Sequence, residues 1–215
     1  MKKILLLILT SFVLFSCEKE KKVVSQEVNF LVEDVISTDR QDMFINHAKD
    51  YRWFETCMRL NNFLDEENDG SLAEVVNVFQ AITNSGEGFD TKVYKFQHFS
   101  NGVNVTDSIS GFWVEDFPLD NEPIKITYRE AYDKLMATNC VKPHSRYVTL
   151  RKQVGPKSCN AQYIFGNLKM QVYVDAVTGE VSEVNPAFGE KTLNGAFLWV
   201  KKDSVNLSKP LGEWP

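Results

Sequence analysis

From Thr91 to Phe99 the chain alternates: Val93, Lys95, Gln97 and Phe99 stand against Tyr94, Phe96 and His98, and Asn101-Gly102 follows at once. A period of two puts alternate side chains on opposite faces of a strand, and Asn-Gly supplies the positive-φ residues of a tight hairpin. These residues therefore call for an antiparallel sheet, with Val103, Val105 and the run Ile109 to Val114 as the returning strand or strands. Pro118 and Pro123 mark the linker that follows.

Helical patterns flank this hairpin. Trp53, Cys57, Leu60 and Leu64 are spaced by four, three and four, which predicts a helix within Asp39 to Leu64. Asp65-Glu66-Glu67-Asn68-Asp69-Gly70 then reads as a solvated turn, because it lacks the ligand spacing and closing glutamate of an EF-hand loop. Ser71 and Glu74 have capping-box spacing and predict a second helix that buries Leu72, Val75, Val76, Phe79 and Ile82, closed by turn residues from Asn84 to Gly88. Thr127 and Glu130 repeat that spacing 56 positions after Ser71, ahead of an apolar face of Tyr128, Ala131, Tyr132, Leu135 and Met136. Strand-like runs follow at Arg146 to Gln153, Ala161 to Phe165 and Lys169 to Val174. Helix followed by antiparallel strands thus occurs twice. The class is α+β, with helices packed on an antiparallel sheet in two tandem helix-plus-hairpin lobes, residues 27–120 and 121–215.

The N-terminus carries an address. Lys2-Lys3 precedes an apolar run from Ile4 to Phe15, broken only by Thr10 and Ser11, and Ser16-Cys17 ends it. A basic n-region and an apolar stretch too short to span a bilayer describe a signal peptide over residues 1–16. Leu14-Phe15-Ser16-Cys17 resembles a lipobox, which makes Cys17 the lipidated residue. Residues 17–26, opening Cys17-Glu18-Lys19-Glu20-Lys21-Lys22, form a charged tether. Charges after the cysteine resemble the surface-export signals of Bacteroidota lipoproteins, and Asp107-Ser108-Ile109 and Asp203-Ser204-Val205 resemble the O-glycosylation triplets of that phylum. The resemblance implies an outer-membrane lipoprotein, lipid-anchored, on the periplasmic or cell-surface face.

Removal of residues 1–16 leaves 199 residues and, with Lys2 and Lys3 gone, moves the net charge from −5 to −7. An acidic chain without a basic stripe does not neutralise phosphates, which argues against nucleic acid as a partner. Three cysteines remain beside Cys17. In an oxidising compartment Cys140 and Cys159 are the expected disulfide, because both adjoin loop sequence around Pro143 and Gly155-Pro156. Cys57, on the apolar face of the first helix, is expected to be a buried thiol.

Val172-Tyr173-Val174-Asp175-Ala176-Val177-Thr178-Gly179-Glu180-Val181 resembles the closing hairpin of PepSY-like domains. Asp175 is placed to bond turn amides, Gly179 to take a positive φ and Val181 to re-enter the sheet. Ile126-Thr127-Tyr128-Arg129-Glu130-Ala131 resembles the start of that family's helix and Tyr163-Ile164-Phe165 its middle strand, so the resemblance covers Ile126 to Val181. It implies a fold related to β-lactamase-inhibitor protein and a binding or inhibitory role without catalytic apparatus or cofactor.

The residues agree with that expectation. There is no Gly-x-Ser-x-Gly elbow, no His-Glu-x-x-His and no nucleotide-binding loop, and His47, His98 and His144 are far apart in sequence. Lys142-Pro143-His144-Ser145-Arg146 and the loop Arg151 to Lys157 concentrate positive charge on an acidic chain. His144, Arg146, Arg151, Lys152 and Lys157 are therefore the candidate contact residues for an envelope protein or glycan, the alternative being a solvated basic sheet edge. Trp113, beside Glu115 and Asp116, keeps two other readings open: a carbohydrate-binding accessory displaying Trp113 or Trp199, or an envelope hydrolase using Glu115 or a histidine. Neighbouring positions on a strand face opposite ways, which counts against Glu115 and Asp116 as a paired acid and base.

Overall fold

The computed structural model describes residues 30–85, 88–114, 116–187 and 190–191. Cys17 and its lipobox, the tether, Glu115, Trp199 and the triplet Asp203-Ser204-Val205 lie outside the described residues.

The chain enters through helix α1 (Val32–Asp42), continued by a π-helical turn over Met43–His47, and then forms strands β1 (Tyr51–Leu60), β2 (Leu72–Ser85), β3 (Gly88–Phe99) and β4 (Asn104–Ser110). A short β5 (Asp116–Phe117) leads to helix α2 (Tyr128–Ala137) and then to β6 (Tyr147–Gln153), β7 (Gln162–Asn167), β8 (Met170–Asp175) and β9 (Val181–Ser182). A small pair, β10 (Val184–Asn185) and β11 (Glu190–Lys191), follows. All main-sheet pairings are antiparallel, in the order β4-β3-β2-β1-β6-β7-β8-β9, with β5 on β6. Helix then four-strand meander therefore occurs twice, and the first strands of the two meanders, β1 and β6, join them into one sheet. The α+β class and its tandem order are as the sequence indicates.

Both helices cover one sheet face. From α1, Val32, Ile36 and Asp39 are buried; from α2, Tyr128, Ala131, Tyr132 and Leu135. Beneath them lie Met58, Val75, Phe96, Leu150, Phe165 and Val172. Burying such side chains contributes about 1.5–3 kcal/mol each. The Thr127 capping box is present, with Thr127 Oγ1 accepting from Glu130 N at 3.2 Å and Glu130 Oε2 accepting from Thr127 N at 2.7 Å. Met136, placed on the apolar face from sequence, is 37% exposed. At the turn after β8, Asp175 Oδ1 accepts from the amides of Val177 and Thr178, both at 2.8 Å, and Gly179 takes φ 72°.

Of the two helices expected in the first half, the stretch from Asp39 to Leu64 is helical only as far as His47 and then forms β1, and the second is strand β2. β1 is buried on both faces from Trp53 to Met58, so its pattern does not alternate cleanly, and the Trp53, Cys57, Leu60 spacing is incidental to that double burial. Ser71 and Glu74 serve other contacts: Ser71 Oγ accepts from Asn61 Nδ2 at 2.9 Å, and Glu74 Oε2 from Arg59 Nε at 2.7 Å. Val75, Val76 and Val78 give this stretch the β-branched density of a central strand. Helix α1 begins at Val32, ahead of the stretch whose spacing reads as helical.

The disulfide is also overturned. Cys140 and Cys159 are both free thiols. β6 lies between them, with Cys140 in the segment before it and Cys159 in the segment after it, and a strand of this length spans roughly 20 Å. A disulfide needs its Cα atoms within about 7 Å. Cys57 is a buried thiol as expected, on a strand instead of a helix. Burial and the nearby Glu55 carboxylate push it well above the usual thiol range.

Candidate functional site

The candidate contact residues separate along β6. At its start, His144 stacks on Phe63 with ring centroids 4.2 Å apart, and its Nδ1 lies 3.0 Å from both Asp65 oxygens. Arg146 donates from Nε to the Leu60 carbonyl at 3.0 Å. Both residues knit the Asn61–Asp65 turn to the sheet. Arg151 points inward, its Nε 3.6 Å from the buried Asp116 carboxylate. Trp113 is half-buried; its amide donates to Gln80 Oε1 at 2.9 Å and its indole to Asp116 Oδ2 at 3.4 Å.

Only Lys152 and Lys157 come together, and they do so in an open cleft of about 420 Å³ at the far end of β6. One wall is the end of β5, with Phe117, and the segment after it, with Pro118, Asn121 and Glu122. The other is the β6–β7 connection, where Gly155 lets the chain pass so close to Ala187 that a Cβ on it would sit 2.5 Å from the Ala187 Cβ. Lys157 N donates to the Ala187 carbonyl at 3.1 Å, which fixes that wall. Arg52 enters from β1, because Leu119 N donates to the Trp53 carbonyl at 2.7 Å and Trp53 N to Asp120 Oδ2 at 2.9 Å, drawing the post-β5 segment against β1.

Three cations, Arg52, Lys152 and Lys157, and one carboxylate, Glu122, line the cleft, which makes its lining net positive in a chain of net charge −5; Arg52 also lies 3.9 Å from Asp50. Lys152 Nζ donates to Glu122 Oε1 at 2.7 Å, with side chains 20% and 18% exposed. Phe117 offers a half-exposed aromatic face. Cys159 also lines the cleft; burial pushes its thiol up, and the charges of Asp175 and Glu122 act the same way against that of Lys152. Sequence reading found the two lysines by charge density. It missed Arg52 and Phe117, which no local pattern ties to residues 152–159.

The other two histidines are engaged elsewhere. His47 lies 3.3 Å from Asp42, and His98 is bonded to Asp39 beneath α1. Among the described residues no three His, Cys, Asp or Glu side chains gather as metal ligands, and no helix is long and apolar enough to cross a membrane. No family model matches the chain, and no curated protein or solved structure matches it.

Proposed function

We propose that the protein is a non-catalytic binding module of the cell envelope, held at the outer membrane by lipid on Cys17, with a PepSY-like C-terminal half. The observation that supports binding is the cleft, whose lining is net positive on an acidic chain. Such a site attracts an acidic group.

Crosslinked affinity capture from the native envelope tests this reading, with wild type compared against Arg52→Glu/Lys157→Glu. A stoichiometric partner recovered with wild type and lost from the variant supports it. Recovery of the protein alone, together with hydrolysis of an envelope polymer that Glu115→Gln abolishes, replaces it with the hydrolase reading. The glycan alternative keeps one favourable feature, the half-exposed Trp113 between the exposed side chains of Phe112 and Val114. Retention on glycan arrays that Trp113→Ala removes and the cleft variant does not would favour it.

A further inference from the structure

We infer that the cleft is a site for a small organic acid carrying two or more carboxylates, and that Glu122 occupies part of it in the free protein. This rests on the binding reading above and names the ligand class. The volume of about 420 Å³ falls in the range of small-ligand sites. The three cations come from β1, β6 and the β6–β7 connection, so they are held apart on separate elements and suit an anion with separated charges. Phe117, 47% exposed, together with Pro118 gives a hydrocarbon backbone a surface to lie on.

Carboxylate is favoured over phosphate by two observations. Neither helix N-terminus, at Val32 and at Tyr128, lines the cleft, so the dipole and amide cluster that often cradle phosphate are missing from it. The cleft also already holds a carboxylate, that of Glu122 on Lys152 at 2.7 Å, in a partly desolvated setting. A ligand carboxylate competes with Glu122 for this ammonium. Glu122 therefore weakens binding while it keeps Lys152 in position, and neutralising it removes the one carboxylate among the lining residues, with Arg52 still 3.9 Å from Asp50.

Calorimetric titration of the full chain in detergent at low ionic strength, with citrate, succinate and inorganic phosphate as probes, tests the inference. Citrate is expected to bind more tightly than phosphate. Glu122→Gln is expected to strengthen citrate binding about fivefold, and Lys157→Gln or Arg52→Gln, at exposed positions, to weaken it about fivefold. Silence with citrate, indifference to Lys157→Gln and Arg52→Gln, or weaker binding by a folded Glu122→Gln overturns the inference. Phosphate binding as tight as citrate overturns the carboxylate assignment. If citrate is silent while Arg52→Glu/Lys157→Glu still loses its envelope partner, the ligand class falls and the binding reading stands; if the capture is also empty, both fall.

Discussion

The two halves of the sheet hold their helices in opposite ways. Under α2 the contact is apolar: Leu135 and Ala131 meet a floor that includes Leu150, Tyr163, Phe165 and Val174, all at most 1% exposed. Under α1 a polar chain runs through the core. His98 Nε2 donates to Asp39 Oδ1 at 2.9 Å, Asn77 Nδ2 donates to Asp39 Oδ2 at 2.6 Å, Thr56 Oγ1 donates to Asn77 Oδ1 at 2.5 Å, and Trp53 Nε1 donates to Thr56 Oγ1 at 3.2 Å. One topology thus accepts either an oil contact or a satisfied hydrogen-bond relay. The relay is the more fragile, because removing one member leaves buried partners such as Asn77 and Thr56 short of a bond.

The largest effect is expected from Asp39→Ala, which leaves His98 and Asn77 without their shared acceptor and costs about 3–5 kcal/mol in urea unfolding. Leu135→Ala opens a cavity under α2 and costs about 3 kcal/mol. If the two losses are equal and each melts the whole sheet, the halves are one cooperative unit; if Asp39→Ala exposes only α1 amides to hydrogen exchange, they are two.

The halves also part in their response to pH. Burial pulls the His98 imidazole down, but the hydrogen bond and charge of Asp39 outweigh it and the net shift is upward. Its contribution is therefore fully present below about pH 6.5, the unfolded value, and is lost as pH rises through the higher folded value. Burial raises the Asp175 carboxyl, but bonds from Thr178, Val177, Asn160 and Gln162 outweigh it and the net shift is downward. That contribution is present above about pH 3.9 and is lost as pH falls through the lower folded value. Mildly alkaline conditions are thus expected to loosen α1 first, and strong acid the β8–β9 turn, each followed by exchange at its own amides. His98→Gln and Asp175→Asn should flatten only the corresponding limb. The smallest effect is that of Thr127→Ala, which removes the α2 cap and costs about 1 kcal/mol by thermal unfolding.

The same contrast explains what the sequence made legible. In the second half the helix and the closing turn each have one local cause: a true capping box at Thr127 and Glu130, and a turn written by Asp175 and Gly179. In the first half the third buried position of α1 is Asp39, so its apolar stripe is broken by a residue that reads as surface. β1 is covered on both faces, which erases the period of two, and Ser71 and Glu74 imitate a cap while they bond across the sheet. Of the cleft, Lys152 and Lys157 were legible because they share one loop region. Arg52 and Phe117 reach it only because β5 is drawn between β1 and β6, a tertiary event with no local signature.

The cleft is tested most directly by a backbone NMR titration of the full chain with citrate. Shifts confined to Arg52, to Phe117 through Glu122 and to Lys152 through Cys159 are the expected result. Shifts centred on Phe63, His144 and Arg146 or on Trp113, or no shifts at all, contradict the assignment of this cleft as the binding site.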